Sequence, residues 1–167
     1  MSDTDQLDPR YRRGAGIVLF NSQAKVWVGQ RIDNPGSAWQ MPQGGLDPNE
    51  DPKAAAFREL EEETGVSPAL TTFLGGGERW LSYDFPEELR KQLWRGSYVG
   101  QQQKWYALQF LGHDTDVNIA TEHAEFSAWQ WVDLEETLSL IVPFKRDLYQ
   151  QIVDRFLPVR DKLREQS

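Results

Sequence analysis

The 167-residue chain has no cysteine, which excludes disulfides, zinc–thiolate centres and thiol nucleophiles. It has two histidines, His113 and His123, too few for a histidine-rich metal site. No apolar run reaches the roughly 18 residues that suggest a membrane span. The polar start MSDTDQLDPR is no secretory signal, so a cytoplasmic protein without a membrane partner is expected. There is no G-x-S-x-G turn to expose a serine nucleophile. The GGG at 75–77 lacks the lysine and following helix of a phosphate loop, and reads as a bend or bulge.

What is present is an ordinary globular mixture, 39% hydrophobic and 26% charged, long enough to bury one core. The net charge of −8 argues against nucleic acid as a partner only until its placement is examined. Between residues 46 and 65 there are seven acids against Lys53 and Arg58, so this window alone carries −5. The remainder is mildly acidic and holds basic clusters at Arg10, Arg12, Arg13 and at Lys145, Arg146.

GAGIVLFN (14–21) and KVWVGQR (25–31) read as strands joined by a polar turn. The Gly-, Pro-, Asn- and Asp-rich stretch 32–51 reads as loop. A helix follows, with Asp51 as N-cap, Pro52 at its first position and Gly65 past its end. Residues 70–83 suggest one or two strands, PEELRKQLW a short helix or turn, and 104–112 and 126–132 further strands. Phe144, Leu148, Ile152 and Phe156 recur at four-residue steps, the mark of an amphipathic helix. The expectation is an α/β fold, a mixed sheet flanked by helices, forming one domain over 10–160 between tails at 1–9 and 161–167.

The stretch RELEEETG (58–65) concentrates four glutamates. Like charges three or four apart cost a helix roughly 0.2–0.5 kcal/mol per pair. At about 100° per residue, Glu59, Glu62 and Glu63 share a wedge of about 100°, while Glu61 falls on the far side. Leu60, Phe57 and Thr64 form a buried stripe between, and small Ala55 leaves space above the cluster. A solvated surface face accounts for Glu61. Three carboxylates on one wedge are better accounted for by a hard divalent cation such as Mg²⁺, which commonly serves phosphate chemistry.

Gly44, Glu50 and RELEEETGV (58–66) together match G-x5-E-x7-R-E-U-x-E-E-x-G-U, where U is a bulky apolar residue. The chain therefore resembles the Nudix hydrolases, which carry this box as a catalytic loop–helix–loop on an α/β/α sandwich. The resemblance implies hydrolysis of nucleoside diphosphates linked to another group, with Mg²⁺, or Mn²⁺ or another divalent cation, as cofactor. By position it implies Glu59, Glu62 and Glu63 as metal ligands and the carbonyl of Gln43 or Gly44 as a further one. It also implies that Arg58 orients the glutamates through a salt bridge involving Glu50, and that Gly44 and Gly65 permit the flanking turns.

WQMPQGG (39–45), WLSYDFP (80–86), GQQQKWYAL (100–108), EFSAWQWV (125–132) and FKRDLY (144–149) extend the likeness from about residue 11 to residue 156. They are similar to one subgroup, the bacterial RNA 5′-pyrophosphohydrolases and the plant and proteobacterial diadenosine tetraphosphate hydrolases. That subgroup implies Glu125 as an acidic metal ligand outside the box, and Tyr83 and Phe144 as aromatics stacking on a base. It implies Arg31, Lys104 and Lys145, with Arg12 and Gln101, near base and phosphates. Taken alone, Tyr83 and Phe144 read as core aromatics and Lys145 as surface. Trp27, Trp105, Trp129 and Trp131 lie in expected strands and read as core, and His123 as an exposed loop residue.

The activity implied is metal-dependent attack of water on a phosphorus, with Glu59 or else Glu125 as general base and no protein nucleophile. Triphosphorylated RNA and diadenosine tetraphosphate stand level as substrates. The alternative is a non-catalytic module binding nucleotide or RNA, but such modules usually lose a box glutamate or the arginine, and none is lost here.

Overall fold

The computed structural model describes residues 7–33, 38–122 and 124–166. Its strands and helices in chain order are β1 (Tyr11–Phe20), β2 (Val26–Arg31), β3 (Trp39–Gln40), β4 (Gln43–Gly45), α1 (Pro52–Thr64), β5 (Thr71–Gly76), β6 (Leu81–Asp84), α2 (Glu87–Gln92), β7 (Gly100–Phe110), β8 (Phe126–Val132), α3 (Thr137–Leu140) and α4 (Arg146–Gln166).

Every residue of β1 from 14 to 20 is buried, which fits a strand covered on both faces. Ala15, Ile17 and Leu19 point to one face, where they meet Leu60 and Ala55 of α1. Val18 and Phe20 point to the other, where they meet Leu148, Ile152 and Phe156 of α4. The sheet runs β3-β2-β1-β7-β5, with β4 also on β1, β6 on β7 and β8 on β2. It is mixed because β1 and β7 are parallel over ten residue pairs while the other pairings are antiparallel. The chain is thus an α/β/α sandwich, with the box helix on one side and the C-terminal helix on the other.

The helix signals of the box are all used. The Asp51 side chain accepts from Ala54 N at 3.1 Å, Pro52 opens α1, and Gly65 closes it at φ 73° with its N–H donating to Glu61 O. The GGG at 75–77 is the bulge expected, with positive φ at all three glycines and a register shift between Phe73 and Gly75. Trp27 and Trp105 are core, while Trp129 and Trp131 are partly buried.

Three expectations are corrected. The stretch 32–51 contains two short strands, because β3 and β4 borrow their pairing from Gly29 and Gln30 and from 14–16 rather than from strand-forming side chains. The tail at 161–167 is helix as far as Gln166: Leu163 is buried, and Arg160 reaches back to the Glu135 carboxylate. Of the tail at 1–9, residues 1–6 lie outside the described residues. Asp8 is tied to the sheet, its N–H donating to Gln102 Oε1 at 2.9 Å. No helix among the described residues is long and apolar enough to cross a membrane.

Candidate active site

Packing of Ala55, Ala56, Leu60 and Thr64 into the sheet fixes the rotation of α1. Glu59 and Glu63 are thereby turned toward β4, and Glu61 is left exposed. Ala55 is fully buried in that core, so it does not leave space above the cluster as expected. The space comes from Gly44, where a Cβ would overlap the Glu59 carboxylate.

Arg58 holds the cluster together. Its Nε and Nη2 bind both oxygens of Glu50 at 2.8 Å, and Nη2 also donates to Gly45 O at 3.0 Å. Its Nη1 binds Glu59 at 2.9 Å and Glu62 at 3.2 Å. The Glu50 hydrogen bonds are the main reason that the guanidinium is pushed further above its usual range, and that the Glu50 carboxyl is held below its own.

Glu63 is only 4% exposed, and its carboxylate accepts from Gln43 N at 3.2 Å. Burial pushes its pKa well up, and the charges of Glu59 and Glu125 push it further. Burial also raises Glu59, opposed by Arg58 and aided by Glu62 and Glu125. Glu125 stands in the loop before β8, with its main-chain carbonyl accepting from Ile32 N. Glu59, Glu63 and Glu125 line one cavity of about 650 Å³, the size of small-molecule sites. Glu62 is engaged by Arg58 and lies outside that lining.

Among the described residues, no three His, Asp or Glu side chains are drawn together as a ligand set. The donor chemistry nonetheless fits a hard divalent cation. The available donors are carboxylate oxygens, and mutual repulsion is part of what raises Glu59 and Glu63, a strain that a bound cation would relieve.

The rest of the cavity lining is aromatic and basic. Tyr83, buried on β6, lies 6.1 Å from the Phe144 ring, in the single helical turn before α4. Lys145 Nζ sits 5.3 Å from the Tyr83 ring centre and is buried, and burial followed by the nearby Arg31 brings it down to about 8. Arg31 pairs with Asp33 at 2.6 Å and approaches Glu125 at 3.9 Å. Arg12 lies 4.6 Å over the Trp94 ring, and Gln101 stands opposite Tyr83 in the β6–β7 ladder.

The structure therefore brings Glu59, Glu63, Glu125, Arg12, Arg31, Tyr83, Gln101, Phe144 and Lys145 to one cavity. Lys104 is not among them. Side chains alternate along a strand, so Gln101, Gln103 and Trp105 of β7 share one face and Lys104 takes the other, its Nζ 5.1 Å over the Trp80 ring. Sequence reasoning missed Asp33, Trp94 and the side chain of Gln43. Trp94 offered a signal, as a large aromatic in the polar run LRKQLWRG. His123 lies outside the described residues.

The NUDIX domain model matches residues 10–152. The RNA pyrophosphohydrolase of Rhodospirillum rubrum is 55% identical over 143 residues, covering 86% of this chain and 85% of that protein. That of Roseobacter denitrificans is 53% identical over 146 residues, covering 87% and 91%. Among solved structures, the E. coli dihydroneopterin triphosphate pyrophosphohydrolase superposes with a TM-score of 0.68 at 20% identity, covering 87% of this chain and 98% of that one. A C. elegans Ap4A hydrolase binary complex gives 0.60 at 22% identity, covering 87% and 98%. At such identities the structural likeness speaks to the fold alone.

Proposed function

The chain belongs to the NUDIX domain family, and from that premise we propose that it is a metal-dependent pyrophosphohydrolase acting on the 5′-triphosphate of RNA. Water attacks a phosphorus of the chain, pyrophosphate leaves and a 5′-monophosphate end remains. The observation that carries this reading is the make-up of the cavity lining. It joins the carboxylates of Glu59, Glu63 and Glu125 to the aromatic pair Tyr83 and Phe144 and to the cations Arg12, Arg31 and Lys145, with Arg31 3.9 Å from Glu125.

Glu59, Glu63 and Glu125, with Glu62 beside them, would hold Mg²⁺ or Mn²⁺. When bound, such a cation neutralises phosphate oxygens and acidifies water. Glu59 accepts the proton of the attacking water, a role suited to a carboxyl raised by burial and placed against the cavity. Arg58 keeps Glu59 oriented through its Nη1 while Glu50 fixes the guanidinium. Lys145, Arg31 and Arg12 meet the phosphates, and Tyr83 with Phe144 receives the base. No protein nucleophile is needed, since phosphoryl transfer depends mainly on positioning and charge stabilisation.

The aromatic and basic end would accept any base attached to a polyphosphate, so diadenosine tetraphosphate, cleaved to AMP and ATP, is the second reading. Parallel kinetics on triphosphorylated RNA, diadenosine tetraphosphate and a nucleotide sugar, with Mg²⁺ and with EDTA, decide between them. We expect the highest kcat/KM on RNA and no turnover in EDTA. A preference for diadenosine tetraphosphate establishes the second reading. Absence of metal-dependent hydrolysis on all three makes the chain a binding module.

A further inference from the structure

Three residues on one face of β7, Gln101, Gln103 and Trp105, form a hydrogen-bonded row that ends on Gln43 of β4. Opposite them in the parallel ladder, β1 offers Gly14 to Gln103 and Gly16 to Trp105. A Cβ on Gly16 would overlap the indole ring, and one on Gly14 would meet the carbonyl of Gly44 at 2.8 Å. The glycines leave a lane in which these long side chains lie.

The row has a direction. An indole N–H can only donate, so the 3.0 Å contact from Trp105 Nε1 fixes the oxygen of Gln103 toward Trp105. The Gln103 amide nitrogen then faces the other way and donates to Gln43 Oε1 at 2.6 Å and to Gln101 Oε1 at 2.8 Å. Both of its protons are engaged. Because Gln43 and Gln101 each present oxygen to Gln103, their amide nitrogens are turned away from it. Both residues line the cavity, and among the described residues neither amide nitrogen meets a protein acceptor. Gln43 stands at the glutamate end, its main-chain N–H on Glu63, and Gln101 stands across from Tyr83 at the aromatic end.

We propose that Gln103, locked by Trp105, is a positioning residue that sets Gln43 and Gln101 as hydrogen-bond donors to the acceptor atoms of the substrate. The inference rests on the reading of this cavity as the substrate site. It makes one wall a donor surface, matched to phosphate oxygens near Gln43 and to acceptor atoms of the first nucleotide near Gln101. A reversed row would present two carbonyl oxygens and repel both.

Two substitutions of similar size separate orientation from packing. In Gln103→Glu the ionised carboxylate has no proton to give, so Gln43 and Gln101 turn their nitrogens toward it and their oxygens to the cavity. In Gln103→Met the hydrogen bonds vanish and no orientation is imposed. With triphosphorylated RNA, we expect KM to rise about tenfold in Gln103→Glu and about twofold in Gln103→Met, with kcat within about twofold in both. A purely structural role predicts the reverse order, with Gln103→Met the more damaged and its loss following its melting temperature. Either that order or an unchanged KM in Gln103→Glu overturns the inference. Should Gln103→Glu fail to fold, Trp105→Phe removes the donor that fixes the row, and we expect KM about threefold higher; an unchanged KM overturns the inference.

A second readout does not depend on turnover. In the wild type, the side-chain NH₂ signals of Gln43 and Gln101 in ¹⁵N–¹H spectra should move when inorganic pyrophosphate or a nucleoside diphosphate is added. If neither moves with either ligand, the donor wall is refuted. A wild type without hydrolysis whose amide signals respond would refute the proposed activity and leave the donor wall standing.

Discussion

Glu59, Glu62 and Glu63, with Arg58 that ties Glu59 and Glu62 to Glu50, stand on one 13-residue helix or just before it. In the aromatic and basic lining of the same cavity, Arg12 comes from β1, Arg31 from β2, Tyr83 from β6, and Phe144 and Lys145 from the turn before α4. Most of the glutamate end is organised by local geometry, i and i+4 on a helix, and only Glu125, from the loop before β8, depends on the sheet to reach it. The aromatic end exists only when the whole sandwich has closed. The first end should therefore govern the chemical step, and the second should govern which molecule is held.

The largest effect belongs to the glutamate end. Glu59→Gln should lower kcat by about a hundredfold or more, with KM and melting temperature near wild type. Steady-state kinetics and thermal melting measure this. Arg58→Ala comes next. It strips Glu50, Glu59 and Glu62 of their shared partner, so we expect about a tenfold loss in kcat together with about 1–3 kcal/mol of stability in urea denaturation. A loss confined to KM would break the division between the two ends.

At the aromatic end, Lys145 gives a pH signature. Its pKa of about 8 in the fold lies below the 10.5 of an ordinary lysine. The unfolded chain therefore binds more protons between these values, and stability rises with pH across that window. Binding has the opposite sign. The ammonium proposed to attract phosphate is lost as pH rises through about 8, so KM should climb there, and Lys145→Met should remove the climb. Phe144→Ala should raise KM about tenfold with little change in kcat, a stacking contribution of about 1–3 kcal/mol. The smallest effect is expected from Lys104→Ala, within about twofold of wild type, because its side chain lies over Trp80 on the other face of the sheet. A large rise in KM from this substitution would contradict that placement.

The glutamates of α1 were readable because their signals are local, whereas Glu125 entered through resemblance. Asp51, Pro52 and Gly65 bound the helix, and helical spacing separated Glu61 from its neighbours. Spacing did not show that Arg58 would engage Glu62 and draw it from the cavity lining, since that depends on where Glu50 anchors the guanidinium. The aromatic end entered the reading through family resemblance, which carried Lys104 along with Gln101. Strand alternation alone argues against that pair: residues three apart on one strand face opposite ways. β3 and β4 were illegible because their pairing is made by the main chain of Gly- and Pro-rich segments. The end of α4 was missed because Arg160 interrupts the apolar stripe before Leu163, and its partner Glu135 is 25 residues away in sequence.

The central claim is that the carboxylate end holds the divalent cation on which hydrolysis depends. Mn²⁺ binding, followed by electron paramagnetic resonance alongside pyrophosphate release from triphosphorylated RNA, tests it in the wild type and in Glu59→Gln. The account predicts that the wild type binds Mn²⁺ and turns over, and that Glu59→Gln loses turnover and binds Mn²⁺ more weakly while remaining folded. Unchanged Mn²⁺ affinity together with near-normal turnover in Glu59→Gln would contradict it.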